Sequence, residues 1–176
     1  MIEEAALHRA AEARAQSRDL PPTEAANRLR FQLVYEAQMF DSMDRFFTPP
    51  TAARSESDRF LTKLASLLPI PPTPPASGPV YRRNPAIRGS LDAFGYDYLE
   101  AHLGHDRVAK LALLNFESPR GEGGEYAYEA LNLANGKRTT SEIRDALSAI
   151  YGPVPQDAVD QFLLAAAEGG LLAIRR

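Results

Sequence analysis

A chain of 176 residues, 44% hydrophobic and 24% charged, is long enough to bury a core and to form one or two compact domains. The absence of cysteine removes disulfides, thiol nucleophiles and Cys-type zinc sites. With 20 Lys and Arg against 23 Asp and Glu, the net charge of −3 argues against a general nucleic-acid binder, whose affinity rests on cationic contacts to phosphate. No apolar run reaches the roughly 20 residues of a membrane helix, and the acidic start Met1-Ile2-Glu3-Glu4 is unlike a signal peptide. The expectation is a soluble chain with no membrane segment, its compartment left open.

Residues 1–67 read as an N-terminal helical hairpin or bundle. The Ala-rich stretch 3–17 favours helix by propensity and offers a thin apolar face. After Pro21-Pro22, Thr23 is placed to cap a long helix reaching about Phe47. That helix carries two stripes at helical spacing: Ala26, Leu29, Leu33, Ala37, Phe40, Met43 and Phe47 on one side, and Phe31, Tyr35, Met39 and Phe46 on another. A helix covering a single core needs one apolar face, so the second stripe is either covered by flanking helices or faces another domain or subunit. Pro49-Pro50 stops this helix. Ser55-Glu56-Ser57-Asp58 resembles a capping box opening a third one through Phe60, Leu61, Leu64 and Leu67.

Six of 14 prolines fall between Pro69 and Pro79, so residues 68–80 read as a semi-rigid Pro-rich linker. Residues 81–124 follow as an extended segment and short helices. Val80–Gly89 looks extended and, with Arg82, Arg83 and Arg88, is the most basic local stretch. Tyr96, Tyr98, Leu99 and Leu103 suggest a short helix ending at Gly104. Residues 105–115 read as helical with Val108, Leu111 and Leu114 inward, and 117–124 as a flexible Gly-rich loop.

Residues 125–176 give the clearest pattern. Glu125–Ala134 forms a helix through Tyr128, Leu131 and Leu133, closed by Asn135-Gly136 as a left-handed cap. Thr139-Thr-Ser-Glu142 fits a capping box followed by Ile143, Ala146, Leu147 and Ile150. Gln156–Glu168 is a third helix through Val159, Phe162 and Leu163, and Leu171–Ile174 a short strand. Three helices followed by a strand make a winged-helix-like arrangement. In such a fold the third helix would read DNA, yet it holds Asp157, Asp160 and Glu168 and no Lys or Arg.

Chemistry-bearing constellations are sparse. His102 and His105 have metal-like spacing, but Gly104 between them marks a helix end. Gly136-Lys137-Arg138-Thr139 lacks the upstream Gly and the Ser/Thr after Lys that a phosphate-binding loop needs. No carboxylate pair is placed for acid–base work. The expectation is no catalytic residue, no cofactor and no metal.

The stretch Tyr128–Pro155, with Phe94-Gly-Tyr-Asp-Tyr-Leu-Glu-Ala-His-Leu-Gly104 and the Pro-rich connector upstream, resembles a C-terminal extension of bacterial zinc aminopeptidases of the aminopeptidase Y and glutamate carboxypeptidase family. Those enzymes hold two zinc ions on a large α/β domain whose ligand pattern does not occur here, so no catalytic residue carries over. The resemblance implies a non-catalytic accessory module acting by packing or oligomerisation, with a protein partner or a second copy. Its interaction residues would be Phe31, Tyr35, Met39, Phe46, Arg82 and Arg83, and Tyr128, Leu131, Ile143, Leu147, Phe162 and Leu163 would build the core. A Gly-Lys-Arg-Thr turn before a capped helix also resembles peptide-recognition domains of the coenzyme-PQQ-synthesis type. The alternative is therefore a winged-helix-type peptide- or nucleic-acid-binding regulator using Arg82, Arg83 and Arg88 or Lys137 and Arg138.

Overall fold

A computed structural model describes residues 2–43, 46, 48, 51–68, 70–88, 91–93 and 96–175, without the side chains of Ile2, Met43, Asp92 and Ala93. Expectations resting on Arg45, Phe47, Pro49, Pro50, Gly89 and Phe94 lie outside these residues. The protein is mostly helical, with short strands, and divides into two units, residues 1–73 and 74–176.

In the first unit, α1 (Ile2–Gln16) and α2 (Pro22–Met43) run antiparallel, a register fixed by Arg9 on Glu36 and Arg28 on Gln16. Pro22 occupies the first helical position, where its missing N–H costs no hydrogen bond. The thin face of α1 is an alanine row: Ala6, Ala10 and Ala13 are buried, and the absence of bulk lets the helix backbones approach. Ala13, Leu29 and Leu68 form a small core with Leu33 and Ile70 against it. Glu36 is completely buried and receives a two-pronged hydrogen bond from Arg9, at 2.8 and 2.6 Å, and one from Gln32 at 2.5 Å. The same hydrogen bonding raises the Arg9 pKa further above its ordinary value. The third helix, α3 (Thr51–Ser66), starts a turn earlier than the Ser55 capping pattern suggests. It lays Phe60 against Phe40 with ring centroids 6.0 Å apart and buries Leu64.

Each end of the Pro-rich stretch is bonded within its own unit. Ile70 packs into the first unit, and Arg30 donates to the carbonyls of Pro71 and Pro72. At the other end, the Ser77 N–H donates to Ser141 Oγ, and Thr140 and Ser141 N–H groups donate to the carbonyls of Pro79 and Ser77.

The second unit is built on a three-stranded antiparallel sheet. Its strands are β1 (Val80–Arg83), β6 (Asn135–Thr139) and β7 (Leu172–Ile174), in the order β6-β1-β7. Residues 81–124 and 125–176 are thus one unit, because β1 is its middle strand. Between β1 and β6 lie a small hairpin, β2 (Asp92–Ala93) and β3 (Tyr96–Asp97), then α4 (Tyr98–Leu103) and α5 (His105–Val108). The helix expected over 105–115 stops at Val108 and continues as turns, in which Leu113 is buried and Leu114 half-buried. The Gly-rich stretch is likewise ordered: β4 (Glu117–Ser118) and β5 (Gly121–Glu122) form a tight hairpin leading straight into α6 (Gly123–Leu133). A Cβ at Gly123 would stand 2.1 Å from the Leu114 carbonyl oxygen, so glycine is required where α6 crosses the turn.

Helices α7 (Thr140–Ile150) and α8 (Gln156–Glu168) pack on β6 and β7, and α6 packs against both helices. The capping box at Thr139 and Glu142 forms as its spacing suggests. Ile143, Leu147, Phe162, Leu163 and Leu131 are buried, but Tyr128 is 67% exposed, and Tyr126 takes the core position expected of it. Both tyrosines satisfy a helical period. Tyr126 reaches an acceptor, its hydroxyl donating to the Gly152 carbonyl at 2.9 Å, and its ring meets Phe116 edge-on at 5.3 Å and Tyr151 at 5.1 Å.

Two outcomes follow from this packing. Gly123→Ala should destabilise the second unit by about 1–3 kcal/mol or more, read by denaturant unfolding, because the obstacle is backbone. Burial is the main cause that raises the pKa of Tyr81, Tyr126 and Tyr151 above 10.0. The unfolded chain therefore loses these protons first. Their stabilisation is complete below the unfolded value and falls as pH rises through it toward the folded values, so circular dichroism should show alkaline weakening of the wild type that Tyr126→Phe reduces.

Candidate interaction surfaces

The second stripe of α2 is largely uncovered. Tyr35 and Met39 lie one helical turn apart, 43% and 40% exposed. Phe31 is half-buried, and Phe46, past the end of α2, is 85% exposed. The opposite stripe is where the unit packs: Ala26 and Leu29 are buried, Leu33 joins the core and Phe40 meets Phe60. Sequence periodicity located both stripes. Val34, 50% exposed, lies between the two rows and belongs to neither.

The arginines of β1 do not form one patch. Side chains alternate along a strand, and Tyr81 points into the core. Arg82 therefore projects from the outer sheet face, whereas Arg83 turns to the helix side, where its Nη1 approaches Asn132 Oδ1 at 3.5 Å. Arg83, Asp97, Tyr128 and Asn132 rim a groove of about 580 Å³ with Leu99, Leu131 and Phe162 in its floor. Arg82 lines a different hollow, of about 490 Å³, together with Lys137 and Arg175. Arg88 is exposed and lines neither; Arg138 is half-buried.

That outer hollow is shaped by Asn135. Its Oδ1 accepts from the backbone N–H groups of Lys137 and Arg138, at 3.0 and 3.3 Å. The turn shifts the β1–β6 register between Val80 and Arg82, with Gly136 at φ +80°. Gly136 thus belongs to a strand bulge, while Ala134 closes α6 through its N–H to Ala130.

His102 and His105 part company at the helix end. His102 stacks on Tyr98 at 3.9 Å with Nδ1 2.8 Å from the Tyr98 carbonyl, while His105 Nδ1 sits 2.9 Å from Glu100 Oε1. Among the described residues no group of three His, Asp or Glu is placed to hold a metal ion. The outward face of α8 shows Asp157, Gln161, Leu164 and Glu168 to solvent, and Arg107 pairs with Glu168. Among the described residues, no helix is long and apolar enough to cross a membrane.

No protein-family model, curated protein sequence or solved structure was found to match the chain.

Since His102 is already committed to Tyr98 and His105 to Glu100, added zinc should leave the melting temperature of the wild type and of His102→Ala alike. A zinc-dependent rise lost in the variant would show a site formed by rearrangement.

Proposed function

We propose that this protein is a non-catalytic interaction module, related to the accessory extension of zinc aminopeptidases, that works by docking another polypeptide on α2. The observation that carries this reading is the row Tyr35 and Met39, exposed on the helix that also organises the first unit's core. Tyr and Met are enriched at the centres of protein interfaces, where a rigid ring or a pliable thioether fills a partner's surface. The face is narrow, which suits a helix of a second copy or of a neighbouring domain laid along it.

Peptide or nucleic-acid binding is the alternative. The acidic outward face of α8 disfavours a duplex there, since Asp157 and Glu168 would meet phosphate. Arg82 and Arg83, on opposite sheet faces, cannot serve one ligand together.

Light scattering coupled to size exclusion tests the main reading. We expect a mass that rises with concentration and returns to the monomer value in Tyr35→Glu/Met39→Glu, with helicity unchanged because both positions are exposed. A strict monomer whose retention and dye binding the double substitution leaves alone would overturn docking at α2.

A further inference from the structure

We propose that the outer face of the β6-β1-β7 sheet is a docking site for an acidic segment of a partner protein. Three cationic side chains from three adjacent strands and their ends converge there. The Arg82 stem lies against Gly136, whose Cβ position would be 3.4 Å from Arg82 Cβ and 3.5 Å from its Cγ and Cδ. From the end of β7, Arg175 Nη1 donates to the Gly136 carbonyl at 2.6 Å, so two guanidinium-bearing side chains meet at one residue. Lys137, exposed by the Asn135 turn, completes the set.

Among the described residues, no carboxylate lines this hollow. Like charges gathered across strands repel, and an anion supplied from outside relieves that repulsion while gaining charge-assisted hydrogen bonds. Gly136 and Ala173 form a shallow floor without bulk. The complementary ligand is thus a short run of Asp or Glu.

A protein segment fits better than a nucleic acid. The cationic patch spans only a few charges, whereas firm nucleic-acid binding needs about 6–10 phosphate contacts.

The test is fluorescence anisotropy on the full chain with a labelled peptide of alternating Glu and Gly, from about 50 to 200 mM salt. Saturable binding that weakens with salt is expected. Arg82→Glu/Lys137→Glu should weaken it about tenfold or more, and Lys137→Gln alone by less, both with unchanged circular dichroism. Arg88→Glu, the same charge change outside the hollow, should bind like wild type. Tyr35→Glu/Met39→Glu should bind like wild type too, which separates this site from the α2 face. Absence of binding at low salt, an equal loss in Arg88→Glu, or single-stranded oligothymidylate binding as tightly as the peptide would each overturn the proposal.

Discussion

The second unit depends on one insertion, the docking of Val80–Arg83 between β6 and β7. Without β1 the other two strands have no neighbour to pair with, since each bonds to it and not to the other. The ladder runs Tyr81 to Ile174, Arg82 to Ala173 and Arg83 to Leu172, and Asn84 prolongs it by donating from Nδ2 to the Gly170 carbonyl at 2.9 Å. Tyr81 closes the core beneath, so one strand supplies both the hydrogen bonds and an anchor. Because a strand's period is two, that anchor also dictates the destinations of its neighbours. Burying Tyr81 sends Arg82 outward and brings Arg83 to the groove beside Tyr128.

The first unit rests on different physics. Its alanine face has little area to offer, so the α1–α2 pair gains less from apolar burial than a leucine seam would provide. The Arg9–Glu36 pair supplies direction in its place. A carboxylate with no solvent exposure is tolerable only when its hydrogen-bonding capacity is met, and Arg9 and Gln32 meet it. A shift of α1 by one residue would strand that charge, so the pair selects the register even where its net contribution to stability is small. Economy of bulk on one side of α2 leaves its other row free to face outward.

The helices of 125–176 were legible because capping chemistry and helical periodicity agree there: Thr139 with Glu142, then Ile143, Ala146 and Leu147. Local pattern could not reveal that Val80–Arg83, more than fifty residues before β6, completes the same sheet, since strand partners are a long-range choice. This is why 81–124 reads as a separate segment in the sequence. The Gly-rich stretch misleads for another reason. Glycine at 123 reports close approach of backbones and not freedom, and the two look alike until the Leu114 carbonyl is in place. For the candidate sites, the exposed row of α2 was readable from its spacing, whereas the meeting of Arg82 with Arg175 was not, because these residues are joined only by the strand order.

That strand order separates the unit's charges in a way its nearly balanced composition conceals. The outward side of α8 is anionic through Asp157 and Glu168, with Arg107 offsetting the latter, while the outer sheet face gathers Arg82, Lys137 and Arg175. A partner feels the local potential of the face it approaches and not the net charge of the chain, because screening limits such fields to about 8–10 Å at ordinary ionic strength. A winged-helix-like element order therefore need not imply a DNA-reading third helix here. The helix that would enter a groove repels phosphate, and the cations stand on the sheet, where the bulge at Gly136 leaves a hollow among them.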